Sequence, residues 1–312
     1  MALLSEYAIT PDVFDSASFS SPEIGGIQLQ YLKEVLLCEG LVRDLRNGSW
    51  SALIHSDVRA WHKHGKELLK KLKTQKRLRL FNPILKNDPI NDCHWCSEAL
   101  ATHNNYPLTG IITTGSVSGS FIQEKMVSSI DKLSSAQWWS ERSSSVRLTR
   151  TIAEYTQHLK LVLRCANSLM FIDPYIDPTK ARYKDFIKLI QLAGNRSPVP
   201  LIEVHRVSNI TVGRNILTPT QNKWQSLFSN AWSRSLVAAG LSVEILIWDD
   251  FHDRYLISDL LGICLPYGFD TSSTPDDITT WTRLGRKERD DIQREFDPAA
   301  NRHRLIHSFK IS

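Results

Sequence analysis

Between about residue 149 and residue 265, short apolar runs alternate with longer stretches whose apolar residues recur at helical spacing, and few folds accommodate that rhythm. Ile152, Tyr155, Leu159, Val162 and Ala166 fall on one face of a helix over about 149–166, and an apolar strand follows at 169–172. Asp177-Pro178 supplies an N-cap and a first-turn proline for a helix over 178–193, which Gly194 closes. After a strand at 199–204, Thr218-Pro219-Thr220-Gln221 forms a capping box. The helix it opens sets Trp224, Leu227, Phe228, Ala231, Trp232 and Leu236 on one side, and Gly240 ends it. Strands at 242–248, 253–258 and 261–265 complete the series. Strands joined by helical crossovers pair in parallel, and a parallel sheet needs cover on both faces. The expectation is an α/β fold, a mostly parallel or mixed sheet with helices on both sides.

The first half reads differently. A Ser-, Pro- and Gly-rich loop at 10–26 precedes a helical pattern from Ile27 to Arg46, stopped by Asn47-Gly48. A second helix is expected over 57–72 and a third over 121–133, with short strands at 77–81 and 109–114. The polar stretch 134–145, which contains Trp138-Trp139, marks a boundary. Residues 1–145 are therefore read as a helix-rich N-terminal domain and 146–312 as the α/β domain.

A chain of 312 residues is long enough for two domains, and its 42% hydrophobic content is enough for a core in each. The formal charge of +5 permits an anionic partner without demanding one. Five scattered cysteines argue against a disulfide framework and for a reducing compartment. Glu6 and Asp12 come too early for a secretory leader, and no apolar run approaches ~20 residues. A cytoplasmic protein without a transmembrane segment is expected.

One segment carries chemistry. In Trp248-Asp249-Asp250-Phe251-His252-Asp253-Arg254-Tyr255, His252 and Arg254 lie two residues apart. On a strand they project from the same face. An imidazole beside a permanent cation suits attack on a phosphate ester. Asp259 follows seven residues after His252.

His252-x-Arg254-x4-Asp259 resembles the His-x-Lys-x4-Asp signature of the phospholipase D superfamily, with arginine in the lysine position. Phe171-Ile172-Asp173-Pro174-Tyr175 resembles the first strand of such domains, and Gly262-Ile263-Cys264 with Gly268-Phe269-Asp270 resembles the strand and turn after the motif. The His-Asp-Arg variant is also similar to the phospholipase D-like C-terminal domain of MIT-domain proteins, which is thought to bind membranes without catalysis. The likeness spans about residues 146–312.

The resemblance implies a metal-independent phosphodiesterase or nuclease with no cofactor. His252 would act as nucleophile or acid, Arg254 as phosphate clamp, Asp259 as support, and Asp173 and Tyr175 as substrate contacts. The family site is built from two motifs and this chain has one, so catalysis implies a homodimer. Bacterial defence is a setting in which such proteins occur. The alternative is a catalytically inactive module that binds nucleic acid, anionic lipid or a protein.

Beyond the motif, Lys63, Lys66, Lys70, Lys71, Lys73, Lys76, Arg77 and Arg79 stand against a single acid, Glu67. Such a run tracks a phosphate backbone or forms a solvated helix face. Lys70, Lys71 and Lys73 are the candidate nucleic-acid contacts, and the N-terminal domain is a candidate for a protein partner. Cys93-x-x-Cys96 lacks a second ligand pair and is read as buried thiols rather than a zinc site.

Overall fold

A computed structural model describes residues 3–212 and 215–312. The chain divides into two units, Leu4–Arg142 and Ser143–Ser312, the second joined by Leu3. Both are α/β.

In the first unit, β1 (Ser5–Ile9), α1 (Pro22–Glu39), β2 (Gly40–Asp44), α2 (Ser49–His55), α3 (Lys63–Thr74) and β3 (Leu78–Leu80) are followed by α4 (Asp92–Asn105), β4 (Gly110–Thr113), α5 (Gly115–Ser118), β5 (Val127–Ser129) and α6 (Gln137–Ser140). The five strands form a wholly parallel sheet in the order β3-β2-β1-β4-β5. This unit is therefore more than a set of helices. The helix expected to run from Ile27 to Arg46 stops at Glu39, and Gly40 begins a strand buried at every position. The helix expected at 121–133 is replaced by β5 and two 3-10 turns. Val127 and Ser129 pair with Ile111 and Thr113, so strand pairing overrides local spacing. Leu29, Leu32 and Leu36 of α1 and Leu68, Leu69 and Leu72 of α3 pack into one core with Tyr7, Ile111 and Trp139.

In the second unit, β6 (Ser145–Thr149), α7 (Ile152–Cys165), β7 (Ser168–Ile172), α8 (Phe186–Gln191), β8 (Leu201–Val207), β9 (Ile210–Val212) and β10 (Asn215–Leu217) come first. They are followed by α9 (Gln221–Ala239), β11 (Val243–Trp248), β12 (Tyr255–Ser258), β13 (Gly262–Cys264), β14 (Ile278–Arg283), α10 (Arg286–Glu295) and β15 (Leu305–Ile311). Eight strands form one sheet, β15-β11-β8-β7-β12-β13-β14-β6. Its β11-β8-β7 centre is parallel and its flanks are antiparallel.

Alternation along β7 distributes the two faces. Phe171 meets Phe186 of α8, whereas Met170 and Ile172 join Trp248, Ile292 and Phe296 on the α10 side. The C-terminal cap of α9 falls where the sequence set it, Gly240 closing the helix at φ +64°, but the N-cap is Thr220 rather than Thr218: the Thr220 hydroxyl accepts from Lys223 N–H, while the Thr218 hydroxyl donates to Asn209 Oδ1. Asp177 accepts from Thr179 rather than opening a long helix, and α8 starts only at Phe186.

Candidate functional site

The strand register assembles the site. β12 runs antiparallel to β7 with Tyr255 opposite Ile172, so Arg254 arrives opposite Asp173, the first residue past β7. β13 pairs with β12 on the other side, Cys264 opposite Tyr255, and Leu265 N–H donates to the Arg254 carbonyl at 3.0 Å. Three segments distant in sequence thus meet at the C-terminal end of the parallel strands, where α/β sheets hold ligands.

Asp173 is fully buried at this junction. Its Oδ1 accepts the Tyr175 N–H at 2.9 Å, and its Oδ2 accepts the Phe269 N–H at 3.0 Å. The Tyr183 hydroxyl donates to Oδ2 at 3.0 Å. Burial raises the Asp173 carboxyl above the ordinary range, opposed by the Phe269 and Tyr175 amides and by Arg254. Burial, with Asp173 adding to it, pushes the Tyr183 phenol up, so that it stays a donor.

Gly268 turns the chain here at φ +66°, and a Cβ on it would sit 2.0 Å from Asp173 Oδ2. Only glycine fits.

Arg254 lies over this carboxylate. Its Nε is 3.9 Å from Asp173 Oδ1, its Nη1 donates to Pro266 O at 3.0 Å, and its guanidinium lies 5.1 Å from the Tyr175 ring centre. A second arginine repeats the arrangement. Arg150 bonds Asp270 and Asp277, both at 2.7 Å, and lies 4.5 Å from the Tyr267 ring centre. Both tyrosines remain open to solvent, Tyr175 at 43% and Tyr267 at 52%. Arg182, half-exposed, is 3.8 Å from Asp270. The edge therefore presents two accessible aromatic rings, each backed by a guanidinium, beside a partly open arginine.

Of the residues expected from sequence, Asp173, Tyr175 and Arg254 come together. His252 does not share a strand face with Arg254. β12 begins only at Tyr255, and residues 249–254 are irregular. Phe251 is drawn into the core against Phe296, ring centres 5.0 Å apart, and its neighbour His252 is thrown outward with 82% of its side chain exposed. Its nearest acid is Asp250 at 3.8 Å, too long for an orienting hydrogen bond. Asp259 sits past the far end of β12, where its carboxylate accepts the Asn167 N–H and the Asn167 side-chain amide, both at 2.9 Å. It pins two strand ends together and is outside the site.

His205 lies on the neighbouring β8 and is sealed. It stacks on Trp248, accepts that indole at Nδ1 and meets Glu203 at 3.1 Å. Burial lowers its pKa and keeps it neutral. Arg206 is also structural. It donates to the Ile176, Val207 and Asn209 carbonyls, and burial against Trp224 pulls it down to about 10.

In the first unit, Lys63, Lys66, Lys70, Lys71, Lys73 and Lys76 are all exposed. Arg77 and Arg79 leave the basic run: Arg77 is buried and donates to Gly40 O, and Arg79 pairs with Glu6 at 2.7 Å. Cys93 and Cys96 lie on α4. Cys96 is in the core, where burial pushes its thiol up to about 12. Among the described residues no group of three or more His, Cys, Asp or Glu is placed to hold a metal, and no helix is long and apolar enough to cross a membrane.

Sequence reading missed Arg150, Tyr183 and Tyr267. One signal was available. Pro174-Tyr175 and Pro266-Tyr267 repeat the same pair, each just after a strand.

No protein-family model matches the chain, and no curated protein does. Among solved structures, TrmBL2, an archaeal chromatin protein whose structure shows a novel mode of DNA binding, is similar at 13% identity. The match has a TM-score of 0.30 and covers 83% of this chain and 87% of that one. So low a score carries no weight for fold or function.

Proposed function

We propose that the Ser143–Ser312 unit is a phospholipase D-like module that binds single-stranded nucleic acid without cutting it. The observation that carries the reading is the pair of exposed tyrosines, Tyr175 and Tyr267, each with an arginine on its ring. Bases stack on such rings whatever their sequence, at about 1–3 kcal/mol each, and a flanking guanidinium meets the phosphate between them. A duplex keeps its bases inside and gains nothing from the rings.

Binding fits better than hydrolysis. A phosphohistidine route needs a nucleophilic imidazole held in line and a second imidazole to protonate the leaving oxygen. His252 is free in solvent, and His205 on the neighbouring strand is sealed. The Pro266 carbonyl holds the Arg254 guanidinium at 3.0 Å, with the Asp173 carboxylate 3.9 Å away at ion-pair distance. The exposed lysines of α3 add long-range attraction for a polyanion.

The test is fluorescence anisotropy of a labelled single strand and its duplex, with gel analysis of the same mixtures with and without EDTA. The reading expects tighter single-strand binding, weakened about tenfold in Arg254→Ala, and intact substrate in every lane. Cleavage abolished by His252→Ala would replace it with the phosphodiesterase.

A further inference from the structure

The sheet of the first unit reverses direction at β1. From there β2 and β3 build one way, and β4 and β5 the other. In open parallel sheets such a reversal leaves a crevice beyond the carboxyl ends of the two diverging strands. A cleft of about 540 Å³ lies there, with Ser18, Ser20, Gln28, Thr114, Ser116 and Asp131 among its walls. That volume suits a small molecule. Among the described residues that line it, none is cationic.

One side of this cleft is a chain of hydrogen bonds with a fixed direction. Asp12, just past β1, is only 4% exposed. Its Oδ2 accepts both the N–H and the hydroxyl of Thr114, and its Oδ1 has no donor at bonding geometry. The Thr114 proton is committed to this carboxylate, so Thr114 can only accept from the Ser116 hydroxyl 3.0 Å away. The Ser116 proton thus points inward, and its lone pairs are left for the cleft. The site asks for a hydrogen-bond donor from its ligand. Asp131 asks for the same, while Phe19 and Ile130 add apolar wall.

We infer that this cleft binds a nucleoside, with ribose hydroxyls donating to Ser116 and Asp131 and the base against Phe19 and Ile130. A 5′-phosphate would find no cation here and would face the carboxylate of Asp131. The cleft is lined wholly by residues of the first unit.

Calorimetric titration of the full chain with adenosine, AMP, ribose and magnesium chloride tests it. Adenosine should bind, ribose more weakly for want of the base, and AMP at least fivefold more weakly than adenosine. Ser116→Ala, on the exposed rim, should weaken adenosine about fivefold, the worth of one neutral hydrogen bond. Four results would each overturn the inference: no heat with adenosine; AMP equal to or tighter than adenosine; binding of magnesium alone; or adenosine affinity unmoved by Ser116→Ala.

Discussion

Replacing Gly268 by alanine tests whether the Asp173 junction is as tight as its geometry implies, and Gly240 supplies an internal control. The two glycines share nearly the same φ, +66° and +64°. An alanine at either pays left-handed strain of about 1–2 kcal/mol. Their surroundings differ. At Gly240 nothing lies within 4 Å of the new Cβ, whereas at Gly268 it meets Asp173 Oδ2 at 2.0 Å and Arg254 Cδ at 2.9 Å. Asp173 must retreat, which strips the Phe269 N–H of its acceptor, and an unsatisfied buried donor costs about 1–3 kcal/mol. Gly268→Ala should therefore cost about 1–3 kcal/mol more than Gly240→Ala. For a domain of this size that is about 2–12 °C further loss in Tm. Scanning calorimetry of the two variants reads it directly, the transition of Ser143–Ser312 being the one both shift. Equal shifts would mean that Asp173 has room to move and that Arg254 is not held by a rigid carboxylate.

Other substitutions probe the rest. Lys70→Glu/Lys71→Glu/Lys73→Glu should weaken single-strand binding at low salt, and unchanged binding removes these lysines from the account. Asp12 binds its proton more tightly folded than unfolded, because burial raises it above the ordinary 3.8 against the pull of the Thr114 hydroxyl and N–H. Its contribution is therefore largest at low pH and is lost as pH rises through its folded value. Urea midpoints of Asp12→Asn from pH 4 to 7 should fall less steeply than those of wild type, and parallel curves would refute the assignment. Arg43 is fully buried, with Glu6 and Thr102 both at 2.9 Å. Arg43→Met should lose about 3 kcal/mol in urea unfolding, and a loss below about 1 kcal/mol would mean that Arg79 alone satisfies Glu6.

The second unit was legible because its local signals agree with its tertiary fate. Thr220 and Gly240 bound α9 as capping chemistry requires, and the apolar runs of β7 and β11 are central strands of a covered sheet. The first unit was less so. Leu41 and Val42 continue a helical spacing that is equally a strand buried on both faces, and only pairing with β1 settles it. β1 itself, Ser5-Glu6-Tyr7-Ala8-Ile9, carries a glutamate that makes sense only once Arg43 and Arg79 are seen to hold it.

The site divides the same way. Asp173, Tyr175 and Arg254, singled out through a resemblance, come together in the structure. The Arg150–Asp270 pair spans 120 residues and is created by the fold alone. His252 was misplaced because period-two reasoning assumed a strand where Phe251 bends the chain into the core.

The most direct measurement is the affinity of Tyr175→Ala/Tyr267→Ala for a labelled single strand and for its duplex at one salt concentration. Removing two stacking platforms should weaken the single strand at least tenfold and leave the duplex within about twofold. A variant that holds the single strand as tightly as wild type would contradict the assignment of this edge.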